Sequence, residues 1–184
     1  MIQKLWLDLE TFSEYEIKHG MHNYTDQAEI MLIAFAIDDE TAMCIDNTRE
    51  LDWGYEGRRF LEAVNSAQEI WAHNSAFDRN VLRKEMPSQD WAIKRWRDTQ
   101  IQAYEHSLPG GLDKLCEALG IAEDKAKLKD GRSLVHLFCK PRPKNSKLRR
   151  ATRETHPEQW EQFKLYAKQD VEAMREAHKR MPKW

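Results

Sequence analysis

Asp8 and Glu10 lie one residue apart at the end of an apolar run, Leu5-Trp6-Leu7-Asp8-Leu9-Glu10-Thr11. Residues two apart on a β-strand share a face, so the two carboxylates would project side by side from the rim of a core strand. Like charges that close resist ionising together. A hard divalent cation such as Mg²⁺, which prefers carboxylate oxygens, removes the conflict. A merely solvated pair at a strand end has the same pattern, so the chemistry depends on whether other carboxylates converge there. Asp78 is one candidate. It ends Ala72-His73-Asn74-Ser75-Ala76-Phe77-Asp78, where a buried strand feeds a helix. In the first turn a carboxylate is favoured by the helix dipole, with Asn74 or Ser75 as N-cap. The same position lies just beyond the C-terminal edge of the parallel strands, where open α/β sheets bind ligands. Asp170 is the other candidate. It follows Tyr166 by four residues, so the two stack on one helix face, bordering the stripe of Phe163, Ala167 and Val171. A partly buried carboxylate there needs a cation or a proton. The plainer alternative is a boundary Asp bonding to water beside a Tyr that only packs.

The elements that must position these groups follow from periodicity and turn signals. Lys4–Leu9 reads as a strand, and Ile30–Ile37 as a continuous apolar strand. The acidic turn Asp38-Asp39-Glu40 and Ala42–Asp46 then complete a hairpin. Phe60, Leu61 and Val64 have helical spacing, and Glu69–Ala72 reads as a buried strand. Ser75–Met86 is a helix stopped by Pro87, and Trp96–Thr99 is a short strand followed by a helix to about Ser107. After Pro109-Gly110-Gly111, a helix carries Leu112, Leu115, Cys116 and Leu119, with Gly120 as its stop. Leu134–Phe138 is a further helical piece, and residues 140–153 are a basic, Pro-containing loop. Pro157 opens the longest helix, with Trp160, Phe163, Ala167, Val171, Met174 and Met181 as its apolar stripe. Strands early, then βα alternation, then helices predicts an α/β domain with a mixed sheet covered by helices.

At 184 residues, 41% hydrophobic and 33% charged, the chain suits one soluble domain with a full core. No apolar run approaches membrane-helix length, and the N-terminus lacks the pattern of an export signal. Cys44, Cys116 and Cys139 are isolated and odd in number, so they read as reduced thiols, and neither a disulfide set nor a zinc site is expected. The net charge of −2 hides an asymmetry. Residues 1–57 hold 13 Asp/Glu against Lys4, Lys18 and Arg49, a net −10, and the remainder is net +8. Opposite-signed halves suit a site holding cations beside a polyanion. They equally suit two charge sets that neutralise each other across the surface.

Taken together, D-x-E on the first strand, N-x-x-[FY]-D at a strand–helix junction and Y-x-x-x-D on the last helix resemble the three exonuclease motifs of the DnaQ-like 3′–5′ exonuclease family. The branch is the tyrosine one (DEDDy), because the histidine branch places a His where this chain has Leu165. Asp8–Gly20, Glu29–Asp38, Ala72–Leu82 and Leu108–Pro141 also look like the proofreading domain of bacteriophage family A DNA polymerases. The resemblance implies an α/β, ribonuclease H-like fold with a mixed five-stranded sheet flanked by helices. It implies Asp8, Glu10, Asp78 and Asp170 as ligands of two Mg²⁺, with Mn²⁺ as a substitute. Asp8 would bridge both metals, Glu10 and Asp170 would hold the nucleophile-side metal, and Asp78 would act in the outer shell of the other. Tyr166 would orient the attacking water, since a phenol of ordinary pKa about 10 is a poor general base. In such polymerases a polymerase domain follows the last motif. Here 14 residues follow Asp170, so the expectation is a single exonuclease domain, 1–184, without a polymerase domain.

The implied reaction is hydrolysis of single-stranded DNA or frayed DNA 3′ ends to nucleoside 5′-monophosphates. It would take place in the cytoplasm of a bacterial cell or phage-infected host, with proofreading for a separate DNA polymerase left open. An RNA exonuclease of the same superfamily and a non-catalytic polymerase-accessory DNA-binding module are the alternatives. Thr11 would meet the 3′-hydroxyl. Phe12 would stack on the terminal base or simply pack, and Asn74 would touch substrate or only cap its helix. The stretch KPRPKNSKLRRATR, with Lys140, Arg142, Lys144, Lys147, Arg149, Arg150 and Arg153, suits phosphate contacts. His73 reads as a satisfied core histidine, and the tryptophans as packing.

Overall fold

The longest alternation of apolar residues sits at the N-terminus, and it forms the central strand of the sheet. In the computed structural model, residues 2–49, 53–121, 128–143 and 145–182 are described, the side chains of 128–130 excepted. Lys144 of the basic stretch lies outside them, as does Trp184. The strands are β1 (Lys4–Phe12), β2 (Glu29–Ile37), β3 (Met43–Asp46), β4 (Glu69–Ala72) and β5 (Trp96–Asp98). The helices are α1 (Met21–Gln27), α2 (Gly54–Ser66), α3 (Ser75–Glu85), α4 (Thr99–Glu105), α5 (Leu112–Ala118), α6 (Leu128–Phe138) and α7 (Pro157–Arg180). The strand order is β3-β2-β1-β4-β5. β2 pairs antiparallel with β1 and β3, whereas β4 pairs parallel with β1 and β5. The chain is thus an α/β protein with a mixed five-stranded sheet flanked by helices.

Alternation along β1 sorts its side chains between two cores. Leu5, Leu7 and Leu9 point to one face and pack with Phe60, Ala63 and Val64 of α2 and Val81 and Leu82 of α3. Trp6 and Phe12 belong to the other face, with Phe138 of α6 and Trp160, Phe163, Ala167, Val171 and Met174 of α7. Asp8 and Glu10 have the parity of Trp6, so the strand aims both carboxylates at the α6/α7 side.

Two departures from expectation bear on the site. β1 continues to Phe12 rather than ending at Leu9, because β2 pairs with it as far as Glu29. The acidic pair is therefore embedded in a strand, not perched on a rim. Opposite the Glu10/Thr11 step, β2 supplies an extra residue, Met31, whose carbonyl accepts the N–H of Asn47. Such a bulge raises local twist and re-aims neighbouring side chains. α1 is the second departure, because it lacks a strong apolar stripe from which periodicity could predict it.

The acidic turn after β2 has a structural use. Asp38, at φ 48, presents Oδ1 to the N–H groups of Lys4 at 2.8 Å and Gln3 at 3.0 Å, tying the hairpin to the start of β1. The buried Arg175 of α7 donates to the carbonyl oxygens of Asp38 at 3.1 Å and Glu40 at 2.7 Å. α7 is thereby clamped to the sheet at a turn no short-range signal links to it. Among the described residues, no helix is long and apolar enough to cross a membrane.

Candidate functional site

β4 is only four residues long, and its pairing with β1 stops at Trp6. Beyond that point β1 has a bare edge on the β4 side, where a backbone N–H needs an acceptor. Asp78, in the first turn of α3, supplies it: the Leu9 N–H donates to Asp78 Oδ1 at 3.2 Å. A short parallel neighbour thus leaves space for a helix N-terminus, and that helix brings a carboxylate to the strand bearing Asp8 and Glu10.

α7 crosses the same region from the other core. Phe163, Ala167 and Val171 are fully buried, and that anchorage turns Tyr166 and Asp170 toward β1. Carboxylate oxygens of Asp8, Glu10 and Asp170 lie within 4.8 Å of one another. Asp78 stands just outside this group of three, next to Asp8, whose charge it senses.

Burial and mutual repulsion set the electrostatics. Although Asp8 is partly exposed as a residue, its carboxyl lies deep enough that burial pushes its pKa up to about 6. Glu10 is 7% exposed. Burial first, then the charges of Asp8 and Asp170, hold its pKa well above the carboxylate range. Asp78 is raised too, by burial and then by Asp8, against the lowering effect of the Leu9 N–H. Tyr166 donates to Asp170, and its phenol is driven strongly upward by burial and then by the charges of Asp170 and Glu10. At neutral pH this hydroxyl stays protonated.

Cys139, just past α6, is a participant that sequence reasoning missed. Its thiol donates to Glu10 Oε2 at 3.5 Å, and burial followed by the Glu10 charge keeps the thiol protonated. Nothing in its local sequence marks this role, because the contact spans 129 residues. Asp98 is the second. At the end of β5 its carboxylate accepts the N–H groups of Asn74 at 3.0 Å, Ser75 at 2.7 Å and Gln100 at 2.8 Å. It therefore caps both α3 and α4. This corrects the expectation that the side chain of Asn74 or Ser75 caps α3, since Asn74 takes a left-handed conformation without a side-chain cap. His73 is held as expected, bonded to Thr99 Oγ1 at 2.9 Å and the Gly110 carbonyl at 2.8 Å.

The residues expected to meet substrate lie in different surroundings. Thr11 is buried with its hydroxyl against Tyr24 Oη at 3.1 Å. Phe12 is 4% exposed and packed in the core under the Arg150 guanidinium at 3.9 Å. Asn74 is partly exposed at the head of α3. In the basic stretch, Lys147 is exposed. Arg149 Nε reaches Glu14 at 3.0 Å, and Arg150 reaches Glu29 at 2.7 Å. Those pairs, with Lys179–Asp39 at 3.1 Å, show part of the charge asymmetry being cancelled between the two halves.

By fold and site this is an α/β protein whose central strand and last helix converge on an all-oxygen acidic cluster. No family model matches the chain. Over its whole length it aligns at 34% identity with a DNA polymerase of Bacillus phage SP02, of which it spans 28%. A solved chain from the yeast NOT1 MIF4G domain co-crystallized with CAF1 superposes with a TM-score of 0.42 at 11% identity, covering 65% of this chain and 69% of that one. That likeness is too slight to carry a fold assignment.

Proposed function

We propose that the chain is a metal-dependent 3′–5′ exonuclease of ribonuclease H-like fold. Its reaction would be hydrolysis of single-stranded or frayed DNA ends to nucleoside 5′-monophosphates. The observation that carries this reading is the convergence of Asp8, Glu10 and Asp170 within 4.8 Å, with Tyr166 beside them and Asp78 behind Asp8. The alignment with a phage DNA polymerase supports DNA as the polymer and a proofreading role.

The donor set fits Mg²⁺ or Mn²⁺. All the donors are carboxylate oxygens, the choice of hard cations, and buried carboxylates that raise one another's pKa are a cost that a cation offsets. Asp8, Glu10 and Asp170 would hold the metals, with Asp78 in the outer shell. Two divalent ions held there would supply an activated water and stabilise the leaving oxygen. The rest is done by the chain. Asp78, through Leu9, fixes the strand segment between the two acidic residues. Tyr166 keeps its proton, so it orients a water by hydrogen bonding and does not serve as a base. The exposed Lys147 would offer a phosphate contact.

A time course on 5′-labelled DNA, single-stranded or duplex with a 3′ tail, with and without Mg²⁺ or Mn²⁺, tests the reading. Stepwise shortening that needs metal and vanishes in the Asp8→Ala, Glu10→Ala double variant is the expected result. An intact 3′ end under all metal conditions, or full activity in the double variant, would sink it. A matched RNA strand in competition decides the sugar.

A further inference from the structure

Gly131 lies inside α6, where glycine costs helix stability relative to alanine and no turn calls for its freedom. It is buried, so the missing side chain must matter to a neighbour. That neighbour is the ring of Tyr166. A Cβ at position 131 would fall 2.3 Å from Tyr166 Cε2, 2.5 Å from Cδ2 and 3.1 Å from Cζ. These are atoms of a rigid ring, which cannot yield by a small torsion at a flexible tip. The ring is half-buried. It lies nearly parallel to the fully buried Phe163, at an interplanar angle of 6° and 6.4 Å between centroids. Its hydroxyl is engaged by Asp170.

We infer that Gly131 is a positioning residue. The bare backbone of α6 forms a seat for the Tyr166 ring and so sets where its hydroxyl stands over the Asp8, Glu10 and Asp170 carboxylates. The inference rests on the proposed function for its catalytic consequence, but the seating of the ring is independent of it. Any side chain at 131 would push the ring away from α6 and carry the hydroxyl off the position from which it can orient a water. The acidic residues on β1 would be untouched, because they approach from another element.

The test is Gly131→Ala, read in two ways. In protein labelled with 3-fluorotyrosine and free of metal, the ¹⁹F resonance assigned to position 166 by Tyr166→Phe should move, while those of Tyr15, Tyr55 and Tyr104 stay in place. On labelled single-stranded DNA, kcat should fall about tenfold with KM and the Mg²⁺ midpoint unchanged. The Tyr166→Phe, Gly131→Ala double variant should be no slower than Tyr166→Phe alone. An unmoved resonance at 166 would overturn the inference, and so would losses that multiply in the double variant. Should Gly131→Ala fail to fold, Tyr166→Ala, Gly131→Ala should fold as Tyr166→Ala does. Failure of that pair would place the clash elsewhere and also overturn the inference. Wild-type protein without nuclease activity would refute the proposed function, yet the ¹⁹F experiment would still decide the seat.

Discussion

Replacing Asp8 by asparagine should make the metal-free protein more stable and remove its response to metal. In the unfolded chain Asp8 ionises near 3.8, whereas in the fold burial moves it up to about 6. Between those values the native state holds a proton that the unfolded state has released, so the contribution of Asp8 to stability falls as pH rises and levels off above its folded pKa. The span from 3.8 to about 6, at about 1.4 kcal/mol per pH unit, amounts to about 3 kcal/mol lost by neutral pH. An asparagine side chain does not titrate, and it relieves Glu10 and Asp78 of one neighbouring charge, which acts in the same direction. In EDTA at pH 7.5, Asp8→Asn should therefore melt about 5–10 °C above wild type. Near pH 4 the two should converge. Saturating Mg²⁺ should raise only the wild type, because binding to the native state alone adds stability. Calorimetry or denaturant unfolding across pH 4–8, with and without Mg²⁺, measures all three quantities. Parallel pH profiles for the two proteins in EDTA would refute the reasoning, since they would mean that Asp8 carries no burial penalty in the fold.

Other expectations are simpler to read. Tyr166→Phe should lower kcat about 10- to 100-fold while leaving DNA affinity measured in Ca²⁺ unchanged; an unaltered rate removes the hydroxyl from the mechanism. Cys139→Ala takes away the thiol that donates to Glu10 and should raise the Mg²⁺ concentration for half-maximal activity about tenfold. Cys139→Ser should restore it, and identical midpoints in all three proteins would show that the contact is idle. Arg149→Ala and Lys147→Ala should each reduce the slope of log affinity against log salt for single-stranded DNA by about 0.7; unchanged slopes would leave the Arg149–Glu14 pair as a purely internal contact.

The elements were largely legible because their signals are local. Apolar runs mark β2 and β4, Pro157 and its stripe mark α7, and Gly120, at φ 62, ends the α5 segment as its sequence requires. The acidic site was legible in part for a related reason. Strand parity puts Asp8 and Glu10 on one face, and helix periodicity puts Tyr166 and Asp170 together, each within one element. Where β1 ends was not legible, because that depends on how far β2 reaches to pair with it. Phe12 and Asn74 were ambiguous for the same kind of reason, and only packing decided that Phe12 belongs to the core while Asp98 caps the helix behind Asn74.

By itself, then, the sequence determined which residues share a face, since the pitch of a strand or helix is a property of the backbone. Tertiary structure alone decided which faces meet. It brought Asp170 to Asp8 and Glu10, hung Asp78 on the bare edge left by a short β4, set the Cys139 thiol against Glu10, and laid the Tyr166 ring on Gly131. Those contacts join residues far apart in the chain, and no period in the sequence encodes them. They are fixed only when burial of the two cores leaves one arrangement in which helices cover both faces of the sheet.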